Sequence, residues 1–137
     1  MVSQVFYLRG WDWTVKVFYE TEPENADRVL DTLGRNGCSE DVLTSARDIF
    51  YRGMKNAGFT YSNSEKRCSV MAISRTTSAD EFANTFDHEK RHLSMHIADA
   101  YHIDIHGEEY AYLAGAIAQH MFRVARRFMC DCCRKKR

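Results

Sequence analysis

Residues 88–92 read H-E-K-R-H, a spacing with a definite chemical use. On a helix, positions i and i+4 face the same way, so His88 and His92 can offer two imidazole nitrogens to one ion. Glu89 sits one residue on, about 100° round the helix, within reach of a water on that ion. Zinc lowers the pKa of its bound water toward about 7, and a neighbouring carboxylate can take the proton during attack. His88 and His92 are therefore the candidate zinc ligands, and Glu89 the candidate general base.

Catalytic zinc takes three protein ligands plus water. A third histidine in the spacing H-E-x-x-H-x-x-G-x-x-H is excluded, because Met95 and Ala98 occupy the glycine and histidine places. The stretch "GEEYAYLAG" at 107–115 supplies Glu108 and Glu109 instead. Ala111, Ala114, Gly115 and Ala118 make a small-residue face that would let this helix approach its neighbour closely. Glu108 borders that face and Glu109 projects about 100° further round, so Glu108 is the preferred third ligand. His102 and His106 are the alternatives. His96 shares the histidine stripe and reads as a wall of the cleft. Asp99 and Asp104 are candidate partners for a ligating imidazole, and Tyr101, Tyr110 and Tyr112 are candidate oxyanion donors. His120 reads as a surface residue, and Trp11 and Trp13 as core and surface without chemistry of their own.

H-E-x-x-H followed by Glu108-Glu109-Tyr110-Ala111 resembles the gluzincins, zinc peptidases with E-x-x-A on a second helix. "EEYAYLAG" is also similar to a stretch in small gluzincin-like proteins of bacteriophages and mobile elements. The resemblance covers residues 67–122. It implies a minimal zincin fold, in which an edge strand "CSVMAIS" lies along the cleft, followed by the active-site helix and a glutamate helix. It also implies a zinc metallopeptidase acting on a protein or peptide. Two features depart from the larger gluzincins: only fifteen residues separate His92 from Glu108, and Tyr112 stands where an aspartate is common.

These residues need elements to hold them. "QVFYLRGWDWTVKVFYE" alternates about "RGWD" as a hairpin does. Thr21 as N-cap, Pro23 in the first turn and Gly37 as a stop frame a first helix. Ser39 opens a second that ends at Gly53. "GFTYSNSEKRCSVMAIS" reads as two strands around "SNSE". Ser78 with Glu81 forms a capping box for a helix over about 79–101, with Phe82, Phe86, Leu93 and Ile97 as its apolar row. Asp87, Lys90, Arg91 and Ser94 fall on the solvated side. A last helix runs from about Gly107 to Met129. The order ββααββαα gives an α+β class with a small, mostly antiparallel sheet. It forms one domain over 1–129, with the metal site in 78–122 and a basic, cysteine-containing tail over 130–137, read as frayed and reduced.

Nineteen basic and nineteen acidic residues cancel, so no global field draws the chain to nucleic acid. The seven basic residues of "RVARRFMCDCCRKKR" are weak support for such a partner. The longest apolar runs are too short for a membrane span. Five cysteines without an export signal fit a reducing, cytoplasmic setting. Two functions compete: a zinc-dependent hydrolase using Glu89 as base, and a non-catalytic binding or regulatory module in which a closed metal site ties two helices together.

Overall fold

Residues 1–135 are described by the structure, a computed structural model. Strands β1 (Val2–Leu8) and β2 (Trp13–Thr21) form the expected hairpin. Helices α1 (Ala26–Arg35) and α2 (Glu40–Tyr51) follow, then strands β3 (Gly58–Asn63) and β4 (Cys68–Ser74). Helix α3 (Ala79–Tyr101) carries the histidines, α4 (Glu108–Ala125) packs beside it, and a short α5 (Asp131–Arg134) comes last. The class is α+β.

The four strands lie in the order β1-β2-β4-β3. β2 and β4 run parallel, and both outer pairs are antiparallel. This corrects the place of "CSVMAIS". As β4 it is paired on both sides, and six of its seven residues are buried, the pattern of an interior strand. The edge beside α3 is β3.

Alternation sorts the side chains onto two faces. Val15, Val17, Tyr19, Met71 and Ile73 face one core with α3 and α4, where Phe82, Leu93, Ile97, Leu113, Ile117 and Phe128 complete it. Phe18, Val70 and Ala72 face the other core with Val29, Leu33, Ala46 and Phe50 of α1 and α2. The sheet is thus covered on both sides.

Helix punctuation follows local chemistry. The Ser39 hydroxyl accepts from Val42 N, and the Ser78 hydroxyl from Glu81 N, each satisfying an orphan donor of a first turn. Thr21 is not a cap. It ends β2 and pairs with Ser74, because one extra residue bulges the strand between Phe18 and Thr21. Glu20 sits in that bulge with φ +55°.

The C-terminal segment is not a frayed tail as far as Arg134, and of the expected tail, residues 136 and 137 lie outside the described residues. Asp131 accepts from Ala79 N at the start of α3. Arg134 bonds the Glu20 carboxyl at 3.2 Å and the Thr76 carbonyl at 2.6 Å. Thr76 donates to both oxygens of Glu20, through its N–H at 3.0 Å and its hydroxyl at 2.8 Å. Both members of this ion pair are largely buried, with side chains 11% and 9% exposed. The physical reason is the bulge, which turns Glu20 inward and creates a demand for donors that α5 meets. In the same segment, backbone N–H groups of Cys133 and Cys132, then the Cys133 side chain, hold the Cys130 thiol below its usual range. Burial pushes Cys38 and Cys68 up.

Candidate functional site

Helix α3 packs through positions 82, 86, 93 and 97, all buried. Position 89 belongs to that same row, seven residues after Phe82 and four before Leu93, so the row delivers a carboxyl into the protein. Glu89 is 4% exposed. A quarter turn away, His88 and His92 are exposed and His96 is half-buried. Ser94 is buried too, its hydroxyl bonded to Lys90 O, and so is not on the solvated side expected for it.

The edge strand β3 explains how the carboxyl fits. Alternation places Gly58, Thr60 and Ser62 on the face toward α3, and Phe59 and Tyr61 toward the α1–α2 core. A Cβ added at Gly58 would stand 2.4 Å from Glu89 Cγ, so only glycine leaves room for this side chain. Thr60 Oγ1 donates to Glu89 Oε1 at 2.8 Å. The other oxygen, Oε2, faces His88 Nε2 at 3.9 Å. Two turns along α3, Ser62 Oγ lies 2.7 Å from His96 Nδ1. Ser62 in turn meets Ser69 at 2.6 Å, and Trp13 Nε1 donates to Ser69 Oγ at 2.8 Å. Burial, then the neighbouring His92, hold His96 below the usual imidazole range, with Asp99 opposing.

His88 Nε2 and His92 Nε2 are 3.1 Å apart. Two nitrogens on one tetrahedral zinc at about 2.05 Å would be about 3.3 Å apart. The spacing is that of a hydrogen bond between the two rings, and it is also close to the spacing of two positions on one ion.

Glu108 does not join them. Burial on α4 follows the large residues Leu113, Ile117 and Met121 rather than the small-residue face, and Gly115 and Ala111 are exposed. Large apolar side chains remove more surface from water, so their row decides which way a helix turns. Glu108 falls on the outer side with Tyr112, which is 69% exposed. It also stands at the α3–α4 bend, while His92 lies nine residues back from the end of α3, about 13 Å along the axis. Glu109, four residues before Leu113, turns instead toward a hollow shared with Trp11, Arg67 and Tyr101. His102 caps α3 with φ +56°, and His106 is exposed in the bend. Among the described residues, no group of three or more His, Cys, Asp or Glu side chains is placed to hold a metal ion. Of the three expected zinc donors, His88 and His92 stand together and Glu108 stands elsewhere.

His120 is not simply a surface residue: it stacks on Phe6 with ring centroids 4.9 Å apart. Trp13 is a buried hydrogen-bond donor at the head of the hydroxyl chain. Gly58, Thr60, Ser62 and Ser69 were not legible as site residues. The available signal was a glycine and small hydroxyl residues at alternate positions of a strand, opposite a helix with a charge in its apolar row.

Compared with family models, curated proteins and solved structures, the chain matches none. The likeness to gluzincins rests on the motif residues alone.

Proposed function

We propose that this protein is a zinc-dependent hydrolase of peptide bonds, with His88 and His92 as the metal-facing pair and Glu89 as general base. The observation that carries this reading is the 3.1 Å approach of two imidazole nitrogens, one of which, His88 Nε2, lies 3.9 Å from an oxygen of the buried Glu89 carboxyl. A zinc ion held by the pair would supply a water acidic enough to ionise near neutral pH. Glu89 then has a defined task. Oε1 is held by Thr60, which fixes the carboxyl's orientation, and Oε2 is the atom that receives a proton and later gives it to the leaving amine. The exposed imidazoles leave the site open to a chain arriving from solvent. Glu108 has no part in this proposal in the arrangement described. The zincin-like identity of the fold belongs to the same proposal and rests on the sequence resemblance.

The test is Glu89→Gln in protein purified without a histidine tag. Zinc content stays as in the wild type, and cleavage of a fluorogenic peptide library is lost. Wild-type protein that binds no zinc, or a Gln variant that loses its zinc, overturns the assignment.

A further inference from the structure

Cys130, Cys132 and Cys133 are reduced and exposed in the last described segment. Their spacing gives two of them a fixed relation. Cys130 is the N-cap of α5, with extended backbone angles of φ −137° and ψ 127°, and Cys133 is the third residue of that helix. Side chains at these two positions turn toward each other, as the reciprocal partners of a capping box do. Arg134 N donates to the Cys130 carbonyl at 2.9 Å and closes the turn. Helical geometry sets Cα atoms three residues apart at about 5 Å, inside the roughly 4.4–6.8 Å that a disulfide spans. The Cys133 thiol reaches the Cys130 sulfur accordingly. Cys132 lies about 100° round the helix from Cys133, outside the pair. Among the described residues, no group of three donors forms a metal site here.

A helix of four residues at the end of a chain has little stability of its own. This one is held by the two residues that follow the paired cysteines. Asp131 accepts from Ala79 N at 2.9 Å, and Arg134 forms the buried ion pair with Glu20. The two thiols are therefore presented to solvent in one arrangement. The Cys133 amide first, then the Cys132 amide and the Cys133 thiol, hold the Cys130 thiol below its usual range, against burial and Asp131. A larger thiolate fraction favours attack on disulfides. Exposed Arg126, Arg127 and Lys135 lie on α5 and the turn it packs against, so they attract a disulfide that carries carboxylates.

We propose that Cys130 and Cys133 form a thiol–disulfide exchange site for small acidic disulfides, with Cys130 as the attacking sulfur and Cys133 as the resolving one. The Cys130 thiolate breaks the S–S bond of the substrate, forms a mixed disulfide and releases one thiolate, which takes up a proton. Cys133 gives its proton to solvent and attacks the Cys130 sulfur, which releases the second thiol and closes the Cys130–Cys133 bond. Two electrons pass from the pair to the substrate, and the protons lost by two protein thiols match those gained by two product thiols. The site is separate from the histidines and does not rest on the hydrolase reading.

The experiment mixes the reduced full chain with oxidised glutathione, blocks the remaining thiols with iodoacetamide and locates both modifications by peptide mass spectrometry. The wild type should end with Cys130 joined to Cys133, Cys132 alkylated and no glutathione retained. Cys133→Ser should trap glutathione on Cys130. Cys130→Ser should react with oxidised glutathione about fivefold or more slowly. Added sodium chloride should slow the wild-type reaction by screening the basic residues. A bond that joins Cys132 to either neighbour, or a Cys133→Ser variant that sheds glutathione as fast as the wild type, overturns the pairing. Equal rates for Cys130→Ser and the wild type overturn the attacking role, and a rate indifferent to salt overturns the preference for acidic disulfides.

Discussion

Replacing Gly58 by alanine isolates the feature that lets a carboxyl sit under β3. The added Cβ meets Glu89 Cγ at 2.4 Å and both Cδ and Oε2 at 2.7 Å, about 1 Å inside ordinary contact. All three atoms belong to one side chain, so relief requires Glu89 to swing away. That movement breaks the Thr60 bond, and a hydrogen bond to a carboxyl is worth about 1.5–3 kcal/mol. Alanine in a strand returns about 0.5–1 kcal/mol relative to glycine. Gly58→Ala should therefore lower the unfolding free energy by about 1–2 kcal/mol in a urea titration. The decisive arm is the same substitution in a Glu89→Ala background. With the carboxyl gone, alanine at 58 becomes neutral or stabilising by about 0.5–1 kcal/mol. The coupling between the two positions is then about 2 kcal/mol, within the range seen for side chains in contact. Equal effects of Gly58→Ala in both backgrounds would refute the steric account. Loss of peptide hydrolysis in the single variant, with zinc retained, would tie the same clearance to function.

Other outcomes follow from the burial of charged and ionisable groups. Arg134→Ala removes one partner of a buried pair and should destabilise the fold by about 3–5 kcal/mol, read by denaturant unfolding; the double change Glu20→Gln with Arg134→Met should recover part of that. Burial raises the Tyr19 phenol above its ordinary range, so the folded state keeps its proton when the unfolded chain loses it. The stability this represents is intact below about pH 10 and declines above it, by at most about 1.4 kcal/mol per pH unit, and Tyr19→Phe should flatten that alkaline slope. Among the cysteines whose thiols are shifted, Cys130 should be alkylated by iodoacetamide ahead of Cys38 and Cys68, as peptide mass spectrometry would resolve. Phe82→Ala, at a fully buried ring packed on Phe86 and Phe128, should destabilise by about 3–5 kcal/mol.

Much of the scaffold was readable because local signals agreed with the final packing. The Ser39 and Ser78 caps, the stop at Gly37 with φ +83° and the apolar row of α3 all stand where their chemistry puts them. Thr21 was misread because a bulge is a property of two paired strands, not of one. The pairing of β4 on both sides is likewise a long-range fact. For the site, the i, i+4 geometry of His88 and His92 follows from the helix itself. The third ligand did not, because small residues on α4 suggested a contact face that Leu113, Ile117 and Met121 outweigh. Gly58, Thr60 and Ser62 were invisible for a related reason. Their role exists only once β3 lies against α3.

Met1 and Arg134 line the same hollow beside Glu20, so the two ends of the described chain come together at the bulge of β2. A short peptide bridge could join them, and new termini could be opened at the α1–α2 turn on the far core, without disturbing the helix that bears the histidines. Such a rearranged polypeptide would keep Asp131 at the first turn of α3 and Arg134 at Glu20 by connectivity rather than by chance of closure. The arrangement makes this small protein a candidate for grafting into a loop of another one, with both attachment points beside Glu20.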